Sequence, residues 1–338
     1  MTRSRPRVAV LYNAPVLPSD HHDYASEAGV VAAARSILAA LKSHGFRPFL
    51  MSARPPAQRL VRSLERKHPD LVFNLIEGFG GHSGGEAHVT SLLEMMGIPY
   101  TGCPPEAQSL ARHKGRTKAL LLGSGLPTAR FWVVAAGDSM PIDPWPGNVI
   151  VKPESEDASL GIDQDSIVTT HLDLSIRVRQ VREKHGPNVL IESYLPGPEY
   201  NVGVLALPTP KALPVAEILY TTPPGRWPIL TYEAKWHVGS AEDLASRPRC
   251  PAEISPEMEV RLRGLAESAF RACGCRDYAR VDFRLDEHGE PMILEVNPNP
   301  DLDPSAGLAR AIAAGGLDWS ETISALARQA LQRGAVHD

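Results

Sequence analysis

The sequence predicts an α/β protein of more than one domain, with a doubly wound parallel sheet in its N-terminal part. Three observations predict this. The 338 residues exceed what one ordinary hydrophobic core covers, so two or three domains are expected. The first hundred residues alternate short apolar strands with helices of amphipathic spacing, the pattern of a parallel sheet. The later strands follow one another closely around turns, the pattern of antiparallel pairing.

The elements justify themselves in order. RVAVLY (7–12) reads as a strand, and residues 26–44 carry apolar positions at helical spacing and end at Gly45, a C-cap. FRPFLMS is a second strand and AQRLVRSLERKH a second helix. DLVFNLI (70–76) is a third strand, and HVTSLLEMMG a helix stopped by Gly97. The glycine-rich loop EGFGGHSGGEAH (77–88) then falls at the carboxyl end of the third strand, where open α/β sheets place their ligands. A helix follows at 106–123, then the strands FWVVA and NVIVKP, the second carrying Lys152 near its end. A polar loop, ESEDASLGID (154–163), precedes VLIESYLPGPEYNVGVLAL, two strand-like runs around a Pro-Gly-Pro turn. The Pro-rich stretch 208–228 reads as an irregular loop. The strands RVDF and MILEVN follow, and 301–338 closes with helical patterns.

Composition excludes several classes. Hydrophobic residues at 43% and charged residues at 22% are those of a globular chain rather than a disordered one. A net charge of −4 offers no general basic field for nucleic acid or anionic membrane. No apolar run approaches the roughly 20 residues of a membrane span, and MTRSRPRVAVLY enters a strand without a signal-peptide core. A cytoplasmic location is expected. Four cysteines without metal or redox spacing read as reduced thiols.

The phosphate-binding signatures of P-loop and dinucleotide-binding proteins are missing. One G-x-S-x-G, with Ser83 at its centre, raises a serine hydrolase, but a nucleophile elbow needs a strand directly before the serine, and here a glycine-rich loop intervenes. His82 and His88 in that loop lack HExxH-type spacing and read as loop histidines. A better account joins separated pieces. Lys152 at a strand end can reach triphosphate oxygens as a point charge. Glu192 and Glu199 bracket the Pro-Gly-Pro turn, where a ribose would find carboxylate acceptors. Asp282, Glu295 and Asn297 sit on two short apolar strands, and their hard oxygens suit Mg²⁺, which takes few protein ligands beside substrate phosphates. If those strands pair, Asp282 and Glu295 meet on one face.

These pieces, with VFNLIEGFGG, LLEMMGIPYTG, ARHKGRTKALLLGSGLPTARF, YEAKW and YARVDFRLDEHGEPMILEVNPNP in the same order, resemble the ATP-grasp superfamily. Within it the chain is similar to the D-alanine–D-alanine ligase group of carboxylate–amine ligases. The resemblance implies three domains: a Rossmann-like N-terminal domain over 1–104 and two α+β subdomains, 105–192 and 193–338, gripping ATP. It implies phosphate contacts from Lys114, Lys152 and Lys235. Glu192, the backbone of Ser193, Tyr194 and Leu195, and Glu199 would hold adenine and ribose. Asp282, Glu295 and Asn297 would bind two Mg²⁺ ions, with Mn²⁺ as a substitute. Arg280 would stabilise the acyl phosphate, and Glu27 would meet the ammonium of the first amino acid. The implied partners are small carboxylate and amine substrates, amino acids first among them, and a second copy of the chain in a homodimer.

Departures from the family pattern cluster at the substrate end. Ala158 stands for a serine, Trp236 for a tyrosine, and Glu77 for a histidine. Asp301 stands for a glycine whose backbone would receive the second amino acid's carboxylate, and a carboxylate facing a carboxylate repels. The expected enzyme is thus an ATP-dependent carbon–nitrogen ligase working through an acyl phosphate, with a remodelled acceptor pocket. An authentic D-alanine–D-alanine ligase and a non-catalytic nucleotide-binding protein of the same fold are the alternatives.

Overall fold

The computed structural model describes residues 5–14, 24–80, 84–138, 147–156 and 159–334, with the side chains of 24–28 left aside. Strand β1 (Arg7–Asn13), helix α1 (Tyr24–Ser43), β2 (Arg47–Ala53), α2 (Ala57–Lys67), β3 (Leu71–Leu75) and α3 (Gly85–Met95) alternate as expected. The three strands form a parallel sheet in the order β2-β1-β3. Period-2 alternation sends Val8, Val10 and Phe73 to one face, against Ile37 and Leu41 of α1. It sends Ala9, Leu11 and Val72 to the other, against Leu60 and Leu64 of α2 and Leu93 of α3. Both faces are covered, so the sheet is doubly wound, and each large aliphatic so buried contributes about 1.5–3 kcal/mol.

Residues 106–123, read as one helix, are two: α4 (Pro105–Arg112) and α5 (Lys114–Gly123). The break falls at His113, with φ −90° and ψ 89°, and no Gly or Pro marks it. Its cause is tertiary. The Lys114 N–H leaves the helical ladder and donates to the Glu154 carbonyl at 3.2 Å. Gly115 lets α5 approach the next sheet, where an added Cβ would lie 2.3 Å from a Val133 methyl.

That sheet has four strands, β4 (Phe131–Val134), β5 (Val149–Pro153), β6 (Ile167–Val168) and β7 (Val189–Ser193), in the order β4-β7-β5-β6. Helix α6 (His171–His185), capped by Thr170, covers it. The Pro-Gly-Pro turn does not close a hairpin. It carries the chain from β7 into a different sheet, beginning with β8 (Glu199–Ala206). At the crossing the Gly197 N–H donates to the Leu285 carbonyl at 3.0 Å, an approach a Cβ would block at 2.6 Å.

The second sheet holds β9 (Pro210–Ala212), β10 (Ala216–Tyr220), β11 (Ser246–Arg249), β12 (Tyr278–Leu285) and β13 (Pro291–Asn297) with β8, along the path β11-β10-β8-β12-β13. Strands β9 and β10 fall in the stretch read as irregular. Local proline content loses there to pairing with β8, and Pro210 sits at the first residue of β9, a position that tolerates proline. Between β10 and β11 lie the short helices α7 (Tyr232–Trp236) and α8 (Ala241–Leu244). Helix α9 (Pro256–Ala272) packs its Leu262, Ala266 and Phe270 on the sheet. Helices α10 (Gly307–Ala314) and α11 (Trp319–Gly334) then return to the N-terminal sheet, joining α1 and β3 in one core. Among the described residues no helix is long and apolar enough to cross a membrane.

Candidate active site

The four- and six-stranded sheets face each other across a cavity of about 950 Å³, open mouth included. Strand β5 brings Lys152, β7 brings Glu192 and Ser193, and Tyr194 and Leu195 follow at the crossing. Glu199 comes from β8, Arg280 and Asp282 from β12, Glu295 from β13, and Lys114 from the start of α5. Lys235 of α7 closes the ring. Eleven of the expected residues therefore line one cavity.

The lysine side has an internal order that sequence reading missed. Glu192 is fully buried and takes ion pairs from both Lys152 and Lys118. Burial alone would raise its carboxyl, but the two ammonium groups outweigh that and hold it below the usual carboxylate range. Lys118 also donates to the Thr128 hydroxyl at 2.7 Å. The signal was present in the final Thr-Lys of the lysine-rich helix, Thr117-Lys118. Lys114 donates to the Glu156 carbonyl, and its ammonium lies 3.9 Å from Glu295.

At the crossing, Tyr194 meets Trp227 edge-on with centroids 5.3 Å apart, and the Arg284 guanidinium lies over Tyr194 at 5.2 Å. Glu199 accepts from the Tyr220 hydroxyl at 2.8 Å and stands 3.7 Å from Arg284. Burial raises its carboxyl despite Arg284. Arg284 and Tyr220 were also missed. Arg284 lies four residues after Arg280, and period 2 puts both on one face.

Across the cavity, Asp282 and Glu295 are directly opposed in the β12–β13 register, beside an irregularity between Asp282 and Phe283. Arg280 grips Asp282 with two bonds, 2.7 and 2.6 Å. Burial, against Arg280, raises Asp282. For Glu295 burial loses to Lys114, Lys152, Arg280 and Lys235, which hold its carboxyl down to about 2. The donor set fits Mg²⁺. It offers two hard carboxylates, with the Asn297 carboxamide at the strand end. No three Asp, Glu, His or Cys among the described residues could hold an ion unaided, and Mg²⁺ leaves the remaining positions to phosphates and water. The Asn297 oxygen already accepts the Asn299 N–H at 2.8 Å.

Asn297, Glu77, Trp236 and Asp301 do not line the cavity itself. Asn299, two residues before Asp301, donates to the carbonyl of Ile76, the residue before Glu77, at 2.8 Å. Glu77 and Asp301 both feel Lys235 from the cavity rim. Ala158, Ser83, His82 and the Glu27 side chain lie outside the described residues. Strand β3 ends at Leu75 and α3 begins at Gly85, so a serine at 83 does not follow a strand directly.

Two sheets closed over a cleft of lysines and paired carboxylates define the ATP-grasp class. The comparisons with known proteins narrow it. The sequence model of the D-ala D-ala ligase C-terminus family matches residues 143–328. An uncharacterised protein of Sinorhizobium fredii is 34% identical over 301 residues, 87% of this chain and 85% of its own length. The D-alanine–D-alanine ligase of Gluconobacter oxydans is 32% identical over 293 residues, 86% of this chain and 90% of its own. The crystal structure of the D-alanine–D-alanine ligase of Bacillus anthracis complexed with ATP superposes with a TM-score of 0.77 over 98% of this chain and 100% of that one, at 20% identity, a likeness of fold. The chain belongs to the D-alanine–D-alanine ligase family.

Proposed function

We propose that this protein is an ATP- and divalent-metal-dependent, ADP-forming carbon–nitrogen ligase that joins a small carboxylic acid, an amino acid first of all, to an amine. The observation that carries the reading is one cavity ringed by Lys114, Lys152 and Lys235 on one side and Asp282 and Glu295 on the other. A carboxylate is a poor electrophile. Transfer of the γ-phosphoryl to it forms an acyl phosphate and releases ADP, and attack by an amine then forms the amide and releases phosphate. Such a reaction needs positioning and charge neutralisation above all. The three lysines meet phosphate oxygens, Glu192 fixes Lys152 in place, and Glu199 with the Ser193–Leu195 backbone receives ribose and adenine. Arg280 neutralises the acyl phosphate. Asp282, Glu295 and Asn297 would hold a divalent metal, which would supply charge neutralisation for the phosphates. Two Mg²⁺ ions, replaceable by Mn²⁺, suit two carboxylates that share one triphosphate. The family resemblance supports a homodimer, and consumption of ATP supports a cytoplasmic setting.

The acceptor pocket is remodelled at Glu77, Trp236, Asp301 and Ala158, and this supports a substrate pair other than two D-alanines. The kinship with the Gluconobacter oxydans ligase favours the second reading, D-alanyl-D-alanine synthesis. ADP and phosphate release with products read by mass spectrometry, for D-alanine alone and then an amino-acid and amine panel, tests both. D-alanyl-D-alanine as the main product removes the remodelled pocket. No ADP from any pair in the presence of Mg²⁺ removes the ligase.

A further inference from the structure

We infer that Arg284 is the positioning residue of the nucleoside end of the cavity. It aims the Glu199 carboxylate at the sugar, and so makes the site select a ribonucleotide over one that lacks the ribose hydroxyls. The inference rests on the ATP reading proposed above and adds to it a residue and a specificity.

Sheet order supplies the geometry. Strand β8 lies between β10 and β12, and Glu199, its first residue, is paired directly with Arg284 of β12. Residues so paired carry their side chains on one face, and period 2 makes it the face of Asp282 and Arg280. From the other neighbour, β10, Tyr220 donates its hydroxyl to Glu199 Oε2 at 2.8 Å. Arg284 Nη1 stands 3.7 Å from that same oxygen. Both contacts therefore fall on Oε2. Oε1 takes no hydrogen bond among the described residues, and Glu199 lines the cavity. An ionised carboxylate only accepts, so a group held by one oxygen presents the other to a hydroxyl donor in the cavity.

Arg284 is itself fixed from three sides. It is buried, and it is the one cation within 4 Å of Glu199 among the described residues. Its Nε donates to the Gly197 carbonyl at 3.0 Å, and its Nη2 donates to the Pro228 carbonyl. Gly197 belongs to the crossing that brings Tyr194 and Leu195 to the cavity, and Pro228 to the flap before α7. The guanidinium also lies over the rings of Tyr194 and Tyr220, 5.2 and 5.7 Å from their centroids. One planar fork thus sets the crossing, the flap and the sugar acceptor relative to one another. A lysine, a point charge without the fork, has no such geometry. Glu199 without Arg284 keeps only the Tyr220 hydroxyl to orient it.

Dideoxy-ATP, which keeps the base and triphosphate of ATP and lacks both ribose hydroxyls, reads this role apart from the phosphate contacts. Calorimetry gives the affinity of the wild-type protein for ATP and for dideoxy-ATP, each with Mg²⁺. ADP release with the acid–amine panel gives kcat and KM for both nucleotides. The wild type is expected to prefer ATP by about 10–10²-fold, the size of a hydrogen bond to a charged group. In Arg284→Met the preference shrinks by about tenfold. Affinity for ATP is lost while affinity for dideoxy-ATP stays near wild type, and KM for ATP rises by more than kcat falls. Arg284→Lys keeps a buried cation and carries the test where the apolar variant does not fold; its preference falls between the two. Wild-type preference in Arg284→Lys overturns the inference. So does an equal loss of ATP and dideoxy-ATP affinity in either variant, which is all that a purely structural arginine gives. A wild type that binds both nucleotides equally and still releases ADP overturns the inference alone. A wild type that prefers ATP and releases no ADP with any pair overturns the ligase reading and leaves the role of Arg284 standing, and one that binds neither nucleotide overturns both.

Discussion

The carboxylate of Asp277, fully buried, holds the guanidinium of Arg333 through both of its oxygens, at 2.6 and 2.8 Å. Asp277 also accepts from Gln329 at 2.9 Å and from the Gly102 N–H at 2.9 Å. Arg333 continues to the Tyr100 carbonyl at 2.9 Å. One carboxylate thus joins the start of β12, the end of α11 and the exit from the N-terminal sheet. Asp277→Ala leaves the Gly102 N–H without its acceptor and takes one acceptor each from Arg333 and Gln329, which keep the Tyr100 and Ala206 carbonyls. Loss of one member of a buried pair costs about 3–5 kcal/mol, and the partial exposure of Arg333, 29%, points to the lower end. Chemical denaturation should register about 3 kcal/mol of lost stability, and an unchanged midpoint would show the staple to be idle.

Lys118 and Lys152 share Glu192, and the lysine deeper in the structure sets what the other can do. With Lys118 in place, Glu192 is doubly neutralised, and Lys152 keeps attraction to spare for a phosphate. Lys118→Met makes Lys152 the sole partner of a buried carboxylate. The expected result is a KM for ATP raised about tenfold, or roughly 1.4 kcal/mol, with kcat at saturating ATP changed less. The pH dependence follows from Glu192. Its folded carboxyl lies below the ordinary value, so the stability it adds is full above about 4.5 and is lost as pH falls through the lower folded value. Urea midpoints between pH 7 and pH 3 should fall, and Glu192→Gln, already weakened at pH 7, should fall less.

Much of the site was legible because it depends on period 2 and on position along strands. Asp282 and Glu295 could be placed on one face from RVDFRL and ILEVNPNPD alone, and the register opposes them. The parallel N-terminal sheet followed from alternation of the same local kind. What stayed hidden depends on where separate elements meet. The Lys118–Glu192 pair exists because α5, packed on β4 and β13, brings Lys118 to Glu192 of β7, and no spacing announces that. His113 breaks a helix without Gly or Pro because the Glu154 carbonyl takes the Lys114 N–H. The Pro-Gly-Pro turn looks like a hairpin locally and is a passage between sheets, since only Leu285, far along the chain, reveals what Gly197 must approach. Asn299 was visible only as one more polar residue in NPNPD.

Asp282 and Glu295 supply the carboxylates of the proposed metal site, and their single substitutions should differ. Glu295→Gln removes a carboxylate that four cations hold down to about 2, leaving excess positive charge for ATP and Asp282 as the one remaining carboxylate of the metal site. Tight nucleotide binding with turnover lowered about 10²–10³-fold, the scale for one transition-state electrostatic contact, is expected. Asp282→Asn does the same to the metal and also frees Arg280 from its two-bond grip, so its thermal midpoint should fall as well. EDTA should abolish turnover in the wild type and Mg²⁺ restore it. ADP formation at the wild-type rate in either variant would remove that residue from the metal site.

Gln164 joins the two flaps over the cavity. Its carboxamide accepts the Trp227 N–H at 2.8 Å and donates to the Trp227 carbonyl at 3.3 Å, a reciprocal pair with the backbone of the opposite flap. Close by, the Tyr232 N–H donates to the Ile162 carbonyl at 3.0 Å, so the loop after β5 and the loop before α7 close as one cover. An acyl phosphate exposed to water hydrolyses, and a closed cover is what prevents it. Gln164→Ala removes both bonds of the pair at a stability cost of about 1–3 kcal/mol and leaves the lysines and carboxylates untouched. The expected sign is therefore in the coupling. ADP release should persist, while amide formed per ADP drops below one because water takes part of the intermediate. A ratio that stays at one would mean that the cover closes without this pair.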